Sequence, residues 1–265
     1  MKHDMIRRFA FIEARLFWAG GLTATELAEA FGIARQNAQQ TIKRYAERHP
    51  GQMRYEATQR RQVPTEGFGA HYIREDVGRF LDYQRAASYT ARFYDEPSWA
   101  DLPFTDVDAL AHPLYDKHAA RIALEALRRQ SVVVISYWAK TGSRSRPISP
   151  HHLVYADGRY HLRAYCHQEA DFRDFTIARI ATAEFSDEPW VSGESDKEWN
   201  ERIDLEFEIN RQLDQPAQDA LMQDYVKAGD TTLKIRGVRK AIAFYLERRL
   251  TRADPRYQLP LWKRA

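Results

Sequence analysis

Cysteine is nearly missing from this chain of 265 residues, with Cys166 the single one. One thiol excludes an intramolecular disulfide framework and any zinc site built from several cysteines, and it suits a reducing compartment. Long apolar runs are missing too, since nothing approaches the roughly 18 to 20 uninterrupted apolar residues of a membrane helix. The opening MKHDMIRRFAFIEARLFWAGG holds no uncharged stretch ahead of a small-residue cleavage site, so a soluble, cytoplasmic protein without a membrane partner is expected. There is no P-loop, no G-x-G-x-x-G, no H-E-x-x-H and no G-x-S-x-G. The adjacent pair His151-His152 has no spaced set of further ligands, and neighbouring strand residues point to opposite faces. Carboxylates that could gather Mg²⁺ are scattered, so no enzyme activity, cofactor or metal is expected.

Excess charge is also small. Forty basic residues against 37 acidic ones give +3, too little to argue for nucleic-acid binding by itself. Distribution says more. Basic and acidic residues number 12 and 8 over residues 1–75, 3 and 7 over 76–112, 11 and 7 over 113–186, and 14 and 15 over 187–265. Two basic modules therefore flank an acidic connector and precede a neutral tail. Three prolines and five acids accumulate in residues 95–113, which predicts a boundary there, and a second is expected near 191–198.

What the chain does have begins with helices. Phe9, Ile12 and Leu16 recur at helical spacing up to Gly20-Gly21. Thr23-Ala24-Thr25-Glu26 has the capping-box pattern, with Leu27, Ala30 and Phe31 as the buried side of the helix it opens. After the turn Gly32-Ile33 comes a third helix with Ala38, Ile42 and Tyr45 on one face. Its other side carries Arg35, Gln36, Asn37, Gln39, Gln40, Lys43 and Arg44, and residues 32–46 include no acid at all. Two short helices joined by a glycine turn, the second with an amide-rich outer face, form a helix-turn-helix pattern. Gln and Asn can offer a donor and an acceptor to adenine, Arg can fork to guanine and Lys can neutralise phosphate, whereas an acid would be repelled. Strands at Met53–Ala57 and Val63-Pro64 around the tip 58–62 resemble a wing, with Arg60 and Arg61 aimed at the DNA backbone or minor groove.

The central module is strand-rich. Residues 119–129 read as a helix, residues 132–138 are β-branched and aromatic, and Asp157-Gly158 signals a hairpin. Alternation puts Tyr160, Leu162, Ala164 and Cys166 on one face and His161, Arg163 and Tyr165 on the other. The order I-S-Y-W at 135–138, S-R-P-I-S-P-H-H-L at 145–153, G-R-Y-H-L-R-A-Y-C at 158–166 and R-D-F-T-I-A-R-I at 173–180 resembles the WYL domain of bacterial transcription regulators. The Trp-Tyr-Leu triplet falls on Tyr160-His161-Leu162, where the leucine matches. A histidine in the middle is similar to compact repressors encoded beside anti-phage systems of the BREX and CBASS kinds. The resemblance implies an Sm-like β-barrel that binds a nucleotide or nucleic acid through Tyr137, Arg146, His152, His161, Arg163, Arg173 and Arg179, with His151 as a further candidate.

Toward the end, Leu205, Phe207 and Ile209 alternate with polar residues as in a strand, 215–226 and 238–250 read as helices, and 231–235 as another strand. This resembles the extension that follows WYL domains and helps them dimerise. The expected class is thus α+β: a winged helix-turn-helix over 1–95, an acidic linker over 96–112, a WYL-like sensor over 113–190 and a small α/β dimerisation extension over 191–265. The expected function is a homodimeric repressor of an anti-phage defence operon. It would bind an inverted-repeat operator in double-stranded DNA and be released by a nucleotide or nucleic-acid effector. The alternative is an adaptor whose WYL-like domain touches nucleic acid directly, without a transcriptional switch.

Overall fold

The computed structural model describes residues 3–94, 113–140 and 142–265, so the expected boundary and linker over 95–112 lie outside the described residues. Two compact units divide the chain, residues 1–107 and 108–265, and the expected sensor and C-terminal extension share the second.

In the first unit, α1 (His3–Ala19) buries Phe9, Ile12 and Leu16 as their spacing requires. α2 (Ala24–Phe31) opens on the capping box: Thr23 Oγ1 accepts from the Glu26 N–H at 3.2 Å and the Glu26 carboxylate accepts from the Thr23 N–H at 2.6 Å. It ends at Gly32, whose φ of 58° lies in the left-handed region that favours glycine. α3 (Arg35–Arg48) lays Ala38, Ile42 and Tyr45 into the core formed with α1 and α2. β1 (Met53–Glu56) and β2 (Arg61–Pro64) form the wing hairpin, with Glu56 opposite Arg61, so Arg61 and Gln62 belong to the strand and not to the expected tip. Leu22 and Gln62 exchange backbone hydrogen bonds of 2.9 and 2.8 Å, which ties the wing to the chain between α1 and α2. Gly21 makes that approach possible, because a Cβ there would overlap the Gln62 carbonyl and the Arg61 side chain. A further helix, α4 (Val77–Tyr94), has no counterpart in the sequence reading.

One buried carboxylate organises this unit. Glu13 on α1 is fully buried and accepts from the Tyr45 hydroxyl at 3.0 Å, and from the backbone N–H groups of His71 at 3.0 Å, Tyr72 at 2.6 Å and Ile73 at 3.2 Å. Burial and then the Glu13 charge raise the Tyr45 pKa, so its hydroxyl stays a donor. Glu13 thereby joins α1, the inner side of α3 and the segment that precedes α4.

In the second unit, α5 (Lys117–Arg129) starts at Asp116, whose carboxylate accepts from the Ala119 N–H at 2.7 Å. It packs Ala119, Ala123 and Ala126 on one face of an antiparallel sheet made of β3 (Val132–Ala139), β4 (Gly142–Ala156), β5 (Arg159–Cys166), β6 (Asp171–Thr176) and β7 (Ile180–Ser186). The two-residue turn between β4 and β5 is the expected Asp157-Gly158, both with positive φ, which is the geometry the twist of a tight hairpin selects. Strand order is β6-β5-β4-β3-β7, and the edges β6 and β7 do not pair among the described residues. The five strands thus form an open sheet among the described residues, and closure into the expected Sm-like barrel is not seen there.

The C-terminal part comprises α6 (Lys197–Asn200), β8 (Arg202–Ile209), α7 (Gln215–Tyr225), β9 (Leu233–Arg239), α8 (Lys240–Thr251), the short pair β10 (Ala253–Asp254) and β11 (Leu259–Pro260), and β12 (Trp262–Arg264). Strands in the order β12-β8-β9 and helices α7 and α8 enclose a second core around Leu205, Phe207, Leu221 and Trp262. This layer closes over the second face of the five-stranded sheet, where Trp199 and Ala241 pack on Val154. Arg163 joins the layers. Its Nε donates to Asp196 Oδ2 at 2.7 Å, its Nη2 to Asp196 Oδ1 at 3.1 Å and its Nη1 to Asp174 at 3.5 Å. Asp196 also caps α6 through the Trp199 N–H and meets His151 Nε2 at 3.2 Å.

Two consequences for stability can be measured. Replacing Glu13 with alanine leaves a buried hydroxyl and three backbone donors without their acceptor, at about 1–3 kcal/mol each when nothing replaces it. A total loss of at least about 3 kcal/mol in denaturant unfolding is expected, and an unchanged midpoint would deny Glu13 its organising part. The second concerns pH. The His151 ring is 3% exposed, and burial followed by the neighbouring His152 pushes its pKa from 6.5 down to about 4. A histidine depressed on folding contributes stability that is whole above its unfolded pKa and is lost as pH falls toward the folded one. Between pH 6.5 and about 4 that loss amounts to about 3 kcal/mol. Urea unfolding across that range should therefore weaken the wild type more steeply than His151→Gln.

Candidate DNA interface and ligand site

The outer side of α3 is built by exclusion. Ala38, Thr41, Ile42 and Tyr45 face inward, which leaves Arg35, Gln36, Asn37, Gln39, Gln40, Lys43 and Arg44 all exposed on the other side. A solvated face of this kind presents two full helical turns of amides and cations. Lys43 has one distant partner, Glu47 at 3.8 Å, and both side chains are more than half exposed, so that pairing is weak and leaves the ammonium available. In the wing, Arg60 is exposed at the tip in a left-handed conformation, φ 53°. Arg61 is different: its guanidinium donates to the carbonyls of Ala19 and Gly21 and is committed to holding the wing. In this arrangement Arg61 positions the wing.

The seven expected ligand residues do not meet in one place. The sheet register sorts them, because residues opposite each other in a ladder share a face. Tyr137 lies opposite Arg144, Ile135 opposite Arg146 and Ala164 opposite Arg173, so Tyr137, Arg144, Arg146 and Arg173 share the face that carries the α5 core. His152 lies opposite Arg163 and Val154 opposite His161, so these three candidates, His152, His161 and Arg163, share the other face, under the C-terminal layer. Arg179 is exposed in a 3-10 turn, Ile177–Arg179, between β6 and β7.

On the covered face the candidates serve the fold. Arg163 is spent on Asp196 and Asp174. Burial alone would raise the Asp196 pKa, but the Arg163 hydrogen bond and the Trp199 N–H outweigh it and hold Asp196 below the ordinary carboxylate value. For Asp174 burial wins, and its pKa is raised despite Arg163 and the Tyr245 hydroxyl at 3.0 Å. The His161 ring lies 5.4 Å from that of Tyr245, burial lowers its pKa, and its Nδ1 is buried without a partner among the described residues. The ring of His152 lies 4.4 Å from that of Trp199, and its Nδ1 is 2.8 Å from His151 Nδ1. A register shift between Pro150 and His152 brings the two histidines together, against the expectation that adjacent strand residues diverge. Among the described residues no group of three or more His, Cys, Asp or Glu side chains could hold a metal ion.

The open end of the α5 face has the chemistry of an anion site. Tyr137 is buried there, its ring against Phe175 and its hydroxyl accepting from the Thr176 N–H at 3.1 Å. Arg146, 8% exposed, donates from Nη1 to Glu169 Oε1 and to Cys166 Sγ, and Arg173 Nη2 lies 2.8 Å from Glu169 Oε2. The Glu169 hydrogen bond raises the Arg146 pKa, and reciprocally Arg146 holds Glu169 below the ordinary value. Arg144 is exposed beside them. Sequence reasoning found neither Glu169 nor Asp196, because Arg146 lies 23 residues from Glu169 and Arg163 lies 33 from Asp196, and no local pattern links either pair.

Residues 4–86 match the BrxR transcriptional regulator winged helix-turn-helix domain, and residues 118–185 match the WYL domain. The chain is 29% identical over 245 residues to a DNA-binding transcriptional repressor CapW of Pseudomonas aeruginosa, covering 91% of this chain and 80% of that one. A protein of the same description from Stenotrophomonas maltophilia is 27% identical over 249 residues, covering 92% and 82%. Among solved structures, proteasome accessory factor B/C of Arthrobacter aurescens aligns with 99% of this chain and 46% of its own at 18% identity, with a TM-score of 0.28, too low to bear on the fold. Neither matched domain is an enzyme domain. With a BrxR-type winged helix-turn-helix followed by a WYL domain, the chain belongs to the WYL-domain transcriptional regulators.

Proposed function

We propose that this chain is a sequence-specific, DNA-binding transcriptional repressor of an anti-phage defence operon, and that it acts in the cytoplasm as a homodimer. The observation that carries this reading is the outer face of α3, seven exposed amide and basic side chains with no acid among them. The CapW proteins to which it is similar are described as DNA-binding transcriptional repressors, which supports the sign of regulation. One recognition helix reads only a few base pairs, so two copies on successive turns, about 34–36 Å apart, on an inverted repeat give a usable site. Release follows when a nucleotide or nucleic-acid ligand occupies the face that carries Tyr137, Arg146 and Arg173. A phosphate group suits guanidinium forks there.

Two experiments test the reading. Gln36→Ala or Gln40→Ala should relax base preference by about 1–3 kcal/mol per contact, while Arg60→Ala should weaken every sequence alike and flatten the salt dependence. Mobility shifts on the DNA upstream of the gene, run over a series of salt concentrations, separate the two. Wild-type behaviour in all three variants would remove the DNA-binding assignment. For the ligand, Arg146→Ala should keep operator affinity and lose release. A hundredfold preference of the ligand for the DNA-incompetent form corresponds to about 2.7 kcal/mol of coupling, and that is the quantity the variant should abolish. Equal release of wild type and variant by oligonucleotide or nucleotide would place the effector elsewhere.

A further inference from the structure

The anion-binding face contains its own anion. Glu169 sits in the turn between β5 and β6, and its two carboxylate oxygens are divided between Arg146 and Arg173. Arg144 is exposed and makes no ion pair among the described residues, although its charge acts on Glu169, whereas the two arginines joined by Glu169 must first be vacated.

We propose that Glu169 is a specificity-determining residue that sets a charge threshold: it acts as a built-in competitor, which a ligand displaces only if it brings several phosphates at once. The inference deepens the ligand-site reading above and rests on it. Three features of the cluster lead there. Glu169 satisfies Arg146 incompletely, because Arg146 Nε is buried and finds no acceptor among the described residues. A phosphoryl group offers more acceptor sites than one carboxylate oxygen, so exchange completes what the resting pair leaves undone. The competitor can also leave at small cost. It stands on a turn, and its side chain, 30% exposed against 10% for Arg146, can swing into water and be solvated there. The third feature is spacing. Arg144 and Arg146 stand two residues apart on β4, about 7 Å along the strand, while Arg173, level with Ala164 and Pro150 two strands across, reaches back to the same carboxylate as Arg146. A single phosphate can take the place of Glu169 between Arg146 and Arg173, whereas a chain of phosphates can also run on to Arg144.

A lone phosphate therefore exchanges the two charge-assisted contacts of Glu169 for its own and adds only an acceptor for Arg146 Nε, while a polyphosphorylated chain recruits Arg144 as well and gains more. Glu169 is thus what makes the site reject the abundant small phosphates and answer to longer ligands. Glu169→Gln removes the charge and keeps the shape.

The test measures binding of inorganic phosphate, ATP and a labelled single-stranded oligodeoxythymidylate to the full chain, for wild type, Glu169→Gln, Glu169→Ala and Arg146→Ala. Both Glu169 variants are expected to bind all three probes more tightly, each on the order of 5- to 20-fold, so that inorganic phosphate and ATP rise to affinities that the wild type reserves for the oligonucleotide. Arg146→Ala should weaken all three. Unchanged or weaker binding by both Glu169 variants, with thermal midpoints near wild type, would overturn the threshold and leave the ligand site standing. If Arg146→Ala binds the oligonucleotide as wild type does, the ligand-site reading itself fails, and the threshold with it.

Discussion

A pleated strand sends neighbouring side chains to opposite faces, and this alternation decides what each residue of the sheet can do. In β4 and β5 it places Arg146 on the face shared with α5 and Arg163 on the face closed by the C-terminal layer. Chemically the two are the same, and in sequence both stand in arginine- and histidine-rich strands. Their fates differ because one face ends at solvent beside Glu169, while the other meets Asp196 and Asp174. A buried guanidinium without partners would cost several kcal/mol, so the covered face must supply carboxylates, and once it does the arginine is no longer available to a ligand. The register shift at Pro150/His152 is the local exception: it turns His151 inward as well, and Gly193 leaves room for the ring, since a Cβ there would overlap His151.

The first unit follows the same logic with the charge reversed. Glu13 is a buried acid, and its partners are neutral donors: a tyrosine hydroxyl and three successive backbone amides. Such a cluster of donors stabilises the carboxylate and fixes their geometry relative to it. Because Tyr45 is on the inner side of α3, the angle at which that helix leaves the core depends on a carboxylate buried on the side away from its amide-rich face. Arg61 does the corresponding work for the wing, tying β2 back to the carbonyls that end α1.

How much of this was legible in the sequence depended on the range of the interaction. Local signals were readable because their physics is local: the capping box at Thr23, the turn at Gly32-Ile33, the turn at Asp157-Gly158 and the helical spacing of Ala38, Ile42 and Tyr45 all appear where expected. The exposed amide face of α3 followed from the same spacing. The alternation in β5 was also read correctly, with His161 and Arg163 apart from Leu162 and Ala164. What could not be read was what covers each face. Asp196 is 33 residues from Arg163 and Glu13 is 58 to 60 from the amides it holds, and no periodicity carries that information. The residues expected in one pocket lie on two faces for this reason: the expectation pooled them by type along the chain, where the register of the ladder separates them.

The two cationic surfaces consequently differ in readiness. On α3 the positive groups are exposed, and the one acid near them, Glu47, stands at 3.8 Å among well-solvated side chains, so almost nothing has to be broken before a phosphate is met. On the sheet the principal arginines are paired in the resting protein, and a ligand must replace a carboxylate before it gains anything. A surface of the first kind engages at low cost and is governed by salt and by sequence. A surface of the second kind answers to a ligand whose charge exceeds that of the group it displaces. For the proposed repressor this asymmetry has the sign that the proposed release requires: the α3 face is open in the free chain, whereas a ligand at the sheet must first rearrange ion pairs. Coupling of that kind needs no unusual affinity, only a ligand that binds one arrangement of those pairs better than the other.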